Sequence, residues 1–197
     1  RNPLDGFTLQ PRPVQQPGPP LWVGGGFGEE SVLLAAEMGL PLMLPTVVQP
    51  PTAFAPMVEK YRESFQDRGF GPPRVGALSH THVAPDLKTA CARYAPRHCD
   101  YLDWVAQQLL PWGLEPVLPP GTPAPQLPLA DFDRLRTEGP LVVGDSQEVL
   151  DRLAGFKESC GLDRYLFHVD SGALPQEALF DCLERLASEV LPSLRDV

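Results

Sequence analysis

Between Leu21 and Ser31 the chain reads Leu21-Trp22-Val23-Gly24-Gly25-Gly26-Phe27-Gly28-Glu29-Glu30-Ser31. A short apolar run meets three consecutive glycines and then, past two carboxylates, a helical segment, which is the order strand, phosphate-sized turn, helix. The first turn of a helix carries unpaired N–H groups with partial positive charge, and glycines let an anion come close to the backbone. Ser31 can add a hydroxyl. The same residues also suit a plain tight turn. Glu29 and Glu30 would repel a phosphate if they pointed inward, and carboxylates favour a first helical turn for dipole reasons alone. Both readings stand at this point.

A second candidate lies in the run from Arg74 to Val83. Read as a strand, it puts Val75, Ala77, Ser79, Thr81 and Val83 on one face and Leu78, His80 and His82 on the other. Two imidazoles on one face invite metal binding or proton transfer. Without a third ligand they predict a structural or pocket-lining role instead, and no metal site. His98 and His168 are read as structural, and Trp22 as a core residue. The four cysteines, Cys91, Cys99, Cys160 and Cys182, are far apart with no CxxC pair, which points to neither a zinc site nor a disulfide framework and fits a reducing cytoplasm.

These residues need elements to hold them. Arg1 to Gly18 reads as an extended lead-in, with a short apolar patch at Phe7 and Leu9. Leu21 to Val23 is a strand, Glu30 to Met38 a helix stopped at Gly39, and Leu40 to Leu44 a second strand. Thr52 is placed to cap a helix carrying Phe54, Met57, Val58, Tyr61 and Phe65. After the strand at Arg74–Val83, Asp86 caps a helix with the stripe Leu87, Ala90, Cys91 and Tyr94, interrupted at Pro96, and Tyr101 to Val105 resumes the pattern. Leu110 to Pro128 is a proline-rich excursion, of the kind that either covers a site or lies on the surface. Pro140 to Val143 leads to Asp145 or Ser146, which caps a helix ending near Gly161, and Arg164 to Val169 is a fourth main strand. A last helix, Pro175 to Val190, shows Leu179, Leu183, Leu186 and Val190 on one face.

Strands alternating with helices, and mostly apolar rather than cleanly alternating, indicate parallel βα units with helices outside. Two closures fit: a small doubly wound sheet, or half of an eight-stranded α/β barrel. With 197 residues, 43% of them hydrophobic, and no shift in composition, the chain is expected to form one domain over 1–197. A net charge of −9 without a basic stripe argues against nucleic acid or an anionic membrane as partner, and no apolar run could span a bilayer, which leaves small molecules. The opening Arg1, in place of Met, suggests that an N-terminal part was removed or not included.

Pro11-Arg12-Pro13-Val14-Gln15, Pro19-Pro20-Leu21-Trp22-Val23-Gly24-Gly25, Glu30-Ser31-Val32 with Ala35-Ala36, and Gly39-Leu40-Pro41 form a recognisable series. Gly144-Asp145-Ser146-Gln147-Glu148-Val149, Ala173-Leu174-Pro175 and Ser188-Glu189-Val190-Leu191-Pro192 follow it. Together these resemble the luciferase-like family of flavin-dependent monooxygenases. The resemblance implies a (β/α)8 TIM-type barrel, of which this chain corresponds to strands five to eight, and a flavin as cofactor, FMN or a deazaflavin. It implies that Gly26, Phe27 and Gly28 offer backbone N–H groups to the flavin phosphate, that Ser31 offers its hydroxyl, and that Thr46 lies where the family approaches the flavin. Many members carry an extra serine in this turn, which this chain lacks. The catalytic side chains would come from the half-barrel that is not here, so no catalytic residue is assigned. The expected activity is that of a flavin-dependent oxidoreductase in which reduced flavin and oxygen act on an organic substrate. The alternative is a non-catalytic half-barrel that binds a phosphate-bearing ligand or serves as a dimerisation module. Either way the open edges call for pairing, as a homodimer or with an N-terminal half.

Overall fold

The computed structural model describes residues 10–16, 18–26, 28–47, 49–109, 131–170 and 174–195. Phe7, Leu9, Phe27, Ala173 and the proline-rich run 110–128 therefore lie outside the described residues. The fold is built around β3 (Val75–Val83), nine residues of which all but Leu78 are buried. It pairs in parallel with β2 (Leu42–Leu44) through Val75–Ala77 and with β5 (Arg164–His168) through Gly76–His80. Its last three residues pair with β4 (Val142–Gly144), also in parallel. Strand β1 (Val23–Gly24) adds to the far side of β2. The four expected strands are thus joined by β4, which the sequence shows only as the approach to Gly144.

Side-chain parity divides the sheet into two faces. On one, Leu42, Leu44 and Val75 pack with α1 (Glu29–Glu37) and α2 (Ala55–Ser64) through Val32, Ala35, Ala36, Val58 and Tyr61. Further along that face, Val83, Tyr165 and Phe167 meet α5 (Ser146–Cys160) and α6 (Gln176–Arg185) through Val149, Leu153, Phe156 and Cys182. The other face carries Met43, Gly76, Leu78, His80, Arg164, Leu166 and His168, and Leu166 is 44% exposed there. Parallel strands with helices on one face and an open apolar opposite face are the layout of a partial α/β barrel.

Local chemistry accounts for most of the boundaries. Asp145 accepts from Glu148 N at 3.0 Å while the Glu148 carboxylate accepts from Asp145 N at 3.3 Å, a reciprocal cap that starts α5. Gly161 ends α5 in the left-handed region at φ 57°. Asp86 caps α3 (Leu87–Leu109) by accepting from Thr89 N at 2.8 Å. Short α4 (Phe132–Thr137) starts on the Asp131 carboxylate, which accepts from Arg134 N.

Three local expectations are corrected. Thr52 does not cap α2: Pro51–Phe54 forms a 3₁₀ turn running directly into the helix, and no side chain caps it. Pro96 does not interrupt α3, which continues through it. Tyr94 and His98 on either side, and Leu102 one turn on, are buried on a common face, and this packing outweighs the missing N–H. In the closing helix the buried row is Ala178, Cys182, Leu186 and Val190, at strict four-residue steps, whereas Leu183 is 42% exposed. A π turn at Leu186–Val190 joins α6 to α7 (Leu191–Arg195).

The corrected row gives a direct comparison. Leu186→Ala is expected to cost about 2–5 kcal/mol in urea unfolding, the range for a buried leucine, and Leu183→Ala less than about 1 kcal/mol. Equal losses would restore the Leu183 stripe.

Candidate functional site

All five strands run in parallel, so their C-terminal ends share one mouth of the sheet. The turn after β1 opens there. Gly24 ends the strand, Gly25 N donates to Met43 O at 3.1 Å, and α1 begins at Glu29 with Gly28 as its extended N-cap. No side chain caps α1. Its first-turn N–H groups therefore face the turn without a side-chain acceptor, which is the arrangement an anion would complete.

The glycines here are required by space. A Cβ on Gly25 would lie 2.6 Å from Ser31 Oγ. Gly26 has φ 144°, and a Cβ there would lie 2.9 Å from the Phe54 ring. Both positions let the backbone pass close to its neighbours, Gly25 against Ser31 and the buried Gly26 against Phe54 and Leu44. Ser31, in the first turn of α1, donates its hydroxyl to Gly28 O at 3.0 Å, so it closes the turn from inside. Glu29, which would oppose an anion if it pointed inward, is ion-paired with Lys60 of α2.

Thr46, just beyond β2, is fully buried and held to β3. Its hydroxyl donates to Leu78 O and accepts from Leu78 N at 3.1 Å, and Ser79 Oγ donates to Thr46 O at 3.1 Å. The hydroxyl proton is thereby committed to the backbone. The structure brings Gly26, Gly28 and Ser31 together in one turn and sets Thr46 at the end of the adjacent strand, while Phe27 lies outside the described residues.

The second assembly at the mouth involves every histidine of the chain. His80 and His168 face each other across the β3–β5 pair, ring centroids 4.7 Å apart. His98 of α3 meets His80 at 5.2 Å and Tyr101 meets it at 5.3 Å. Tyr94 stacks on His82 at 5.4 Å and on His98 at 5.7 Å. Strand parity revealed that His80 and His82 share a face; it could not reveal that α3 crosses back over that face and adds its own rings. Among the described residues no group of three potential ligands is placed to hold a metal.

Burial keeps His80, His82 and His98 neutral. It pushes His80 down to about 3, helped by the neighbouring His98 and His168, and His98 down to about 4. His82 also falls to about 4, again through burial first, with Arg93 adding to the effect and Asp181 opposing it.

A cavity of about 480 Å³ lies at the other end of the strands. Its lining includes Pro20, Leu21, Leu40, Pro41 and Arg74, all of which precede their strands.

A model of the luciferase-like monooxygenase family matches residues 1–164. The oxygenase component of flavin-dependent trigonelline monooxygenase from Acinetobacter baylyi is 28% identical over 196 residues, covering 96% of this chain and 52% of that protein. Monooxygenase RslO1 from Streptomyces bottropensis superposes with a TM-score of 0.71 at 22% identity, over 94% of this chain and 51% of that one. The oxygenating constituent of 3,6-diketocamphane monooxygenase from Pseudomonas putida, solved with FMN, gives 0.58 at 21% identity, over 89% and 49%. The chain spans about half the length of these relatives.

Two outcomes test this geometry. Gly25→Ala is expected to displace Ser31 from the turn, lowering the unfolding midpoint and changing the amide signals of Gly28 and Ser31; a silent substitution would show that the turn is not closed by Ser31. Because His80, His82 and His98 titrate below the unfolded value near 6.5, the unfolded chain binds more protons as pH falls. Stability should then decline from about pH 6.5 towards pH 4, by up to about 1.4 kcal/mol per pH unit for each imidazole that stays neutral in the fold. Urea unfolding between pH 7.5 and 4.5, repeated with His82→Phe, checks the sign. A flat profile would contradict neutral burial.

Proposed function

The chain belongs to the luciferase-like monooxygenase family, and we propose that it is the phosphate-holding half of a flavin-dependent oxidoreductase. The observation carrying this reading is the turn after β1, where two glycines let the chain turn tightly against Ser31 and Phe54 and α1 starts without a side-chain cap for its first N–H groups. Gly26, Phe27 and Gly28 would offer main-chain N–H groups to the flavin phosphate. Ser31 would turn its hydroxyl from Gly28 O towards it, and Thr46 would act by fixing the end of β2, since its proton is already donated. FMN is the preferred cofactor, and a deazaflavin, which also carries a phosphate, is the variant. When bound, the flavin supplies the redox chemistry, by which reduced flavin and oxygen act on a small organic substrate.

The residues present fit that group at its phosphate end. The lack of a further serine in the turn removes one contact, leaving backbone N–H groups and Ser31 to carry the affinity. The remainder of the pocket and the catalytic side chains belong to a complementary half-barrel, supplied by the same protein or a partner, which would also cover Leu78, Leu166 and Met43. No helix among the described residues is long and apolar enough to cross a membrane, and we place the protein in the cytoplasm on the strength of its four free cysteines.

Titration with FMN, followed by flavin fluorescence, tests the proposal. Saturable binding weakened roughly ten- to hundredfold by Ser31→Ala, the effect of losing one hydrogen bond to a charged group, is the expected result. Binding that ignores Ser31→Ala would move the phosphate away from this turn. A colourless dimer with no flavin affinity would favour the non-catalytic half-barrel.

A further inference from the structure

The imidazole and phenol rings at the mouth have no role in the phosphate site. They stand on β3, α3 and β5, and the phosphate turn stands on β1. Along the curve of the sheet β1 and β5 are three strand spacings apart, about 14 Å at roughly 4.8 Å each. Both open at the same end, because β1, β2, β3 and β5 are parallel and His168 is the last residue of β5.

The group has an inside and an outside. His80, His98, Tyr94 and His82 are buried, whereas His168 and Tyr101 are half-buried. His168 packs on His80 at 4.7 Å and Tyr101 on His80 at 5.3 Å, so the two outer rings rest on one buried imidazole. The backing is uncharged at neutral pH, since burial disfavours the protonated form of His80 and His98. Nδ1 of His80 and Nδ1 of His98 are buried without a hydrogen-bond partner. Two flat outer rings backed by neutral imidazoles suit a flat aromatic ligand better than an aliphatic or purely anionic one.

We propose that His168 and Tyr101 contact the aromatic ring system of the ligand whose phosphate end sits in the turn after β1. The inference rests on the phosphate reading above and adds the other end of the ligand. It requires an elongated molecule, with phosphate at one end and a planar heteroaromatic system at the other. It also gives His168 a role beyond the structural one expected from sequence.

The test uses three probes on the natural protein that carries this chain: FMN, riboflavin, and ribose 5-phosphate as a competitor of FMN. These present ring with phosphate, ring alone, and phosphate alone. His168→Ala is expected to weaken FMN and riboflavin by a similar factor, roughly three- to tenfold for one aromatic contact, and to leave the affinity for ribose 5-phosphate unchanged. Ser31→Ala should do the reverse, weakening FMN and ribose 5-phosphate and sparing riboflavin. Tyr101→Leu is the second variant, with thermal unfolding confirming that each variant folds. If neither His168→Ala nor Tyr101→Leu alters riboflavin or FMN binding, or if both weaken all three probes equally, the ring contact is wrong while the phosphate turn survives. If the unsubstituted protein binds neither FMN nor ribose 5-phosphate, the phosphate reading fails and this inference falls with it.

Discussion

A strand buried on both faces has to be covered on both, and β3 imposes that constraint on the whole chain. Val75, Ala77, Ser79, Thr81 and Val83 are fully buried, and so is His82 on the opposite face, with His80 almost so. Exposing such a strand would cost hydrophobic burial along nine residues. The face of Val75 and Val83 is covered in the ordinary way of parallel sheets, by helices α1, α2, α5 and α6. The mouth end of the other face is covered by α3, laid across His80 and His82 with Tyr94, His98 and Tyr101. Lower down, Leu78, Met43 and Leu166 have no such cover from the described residues. That half-finished face is what a complementary half-barrel would complete.

The same division explains what could be read from the sequence. Signals confined to a few neighbouring residues were legible. Gly144-Asp145-Ser146-Gln147-Glu148 encodes its own cap, Gly161 its own stop, and the glycine run after Val23 its own turn. Each depends on backbone geometry and hydrogen bonds within one turn of chain. The path of α3 was not legible, because Pro96 carries a strong local penalty and the packing that overrides it comes from α4, β4 and the histidines of β3, all more than ten residues away. The closing helix failed for a different reason. Its buried row includes Ala178 and Cys182, weak apolar signals beside Leu179 and Leu183, so the larger side chains drew the predicted stripe to the wrong side.

The histidines show the limit most clearly. Strand alternation places His80 and His82 together, and nothing local connects them to His98 or His168. Their convergence requires both the β3–β5 register, which pairs His80 with His168, and the return of α3 over the sheet. An imidazole on an apolar strand is usually a satisfied core residue. Here burial without partners for His80 Nδ1 and both ring nitrogens of His82 makes the layer a poor core and a better wall.

Position along the strands also separates the cavity where they begin from the turn and rings where they end. The cavity of about 480 Å³ lies where the strands begin, lined by prolines, leucines and Arg74, and Arg74 itself rests over the Trp22 ring at 5.6 Å. Arg164 lies over the same ring at 4.9 Å. The residues at this end pack and stack, and α/β barrels build their chemistry from the loops at the opposite end. There α1 starts without a side-chain cap, Lys60 holds Glu29 in an ion pair, and His80, His82 and His98 are imidazoles held neutral by burial. A ligand bound at that end would meet positive backbone dipoles at one side and uncharged π surface at the other. That polarity is what links the proposed phosphate turn to the proposed ring contact.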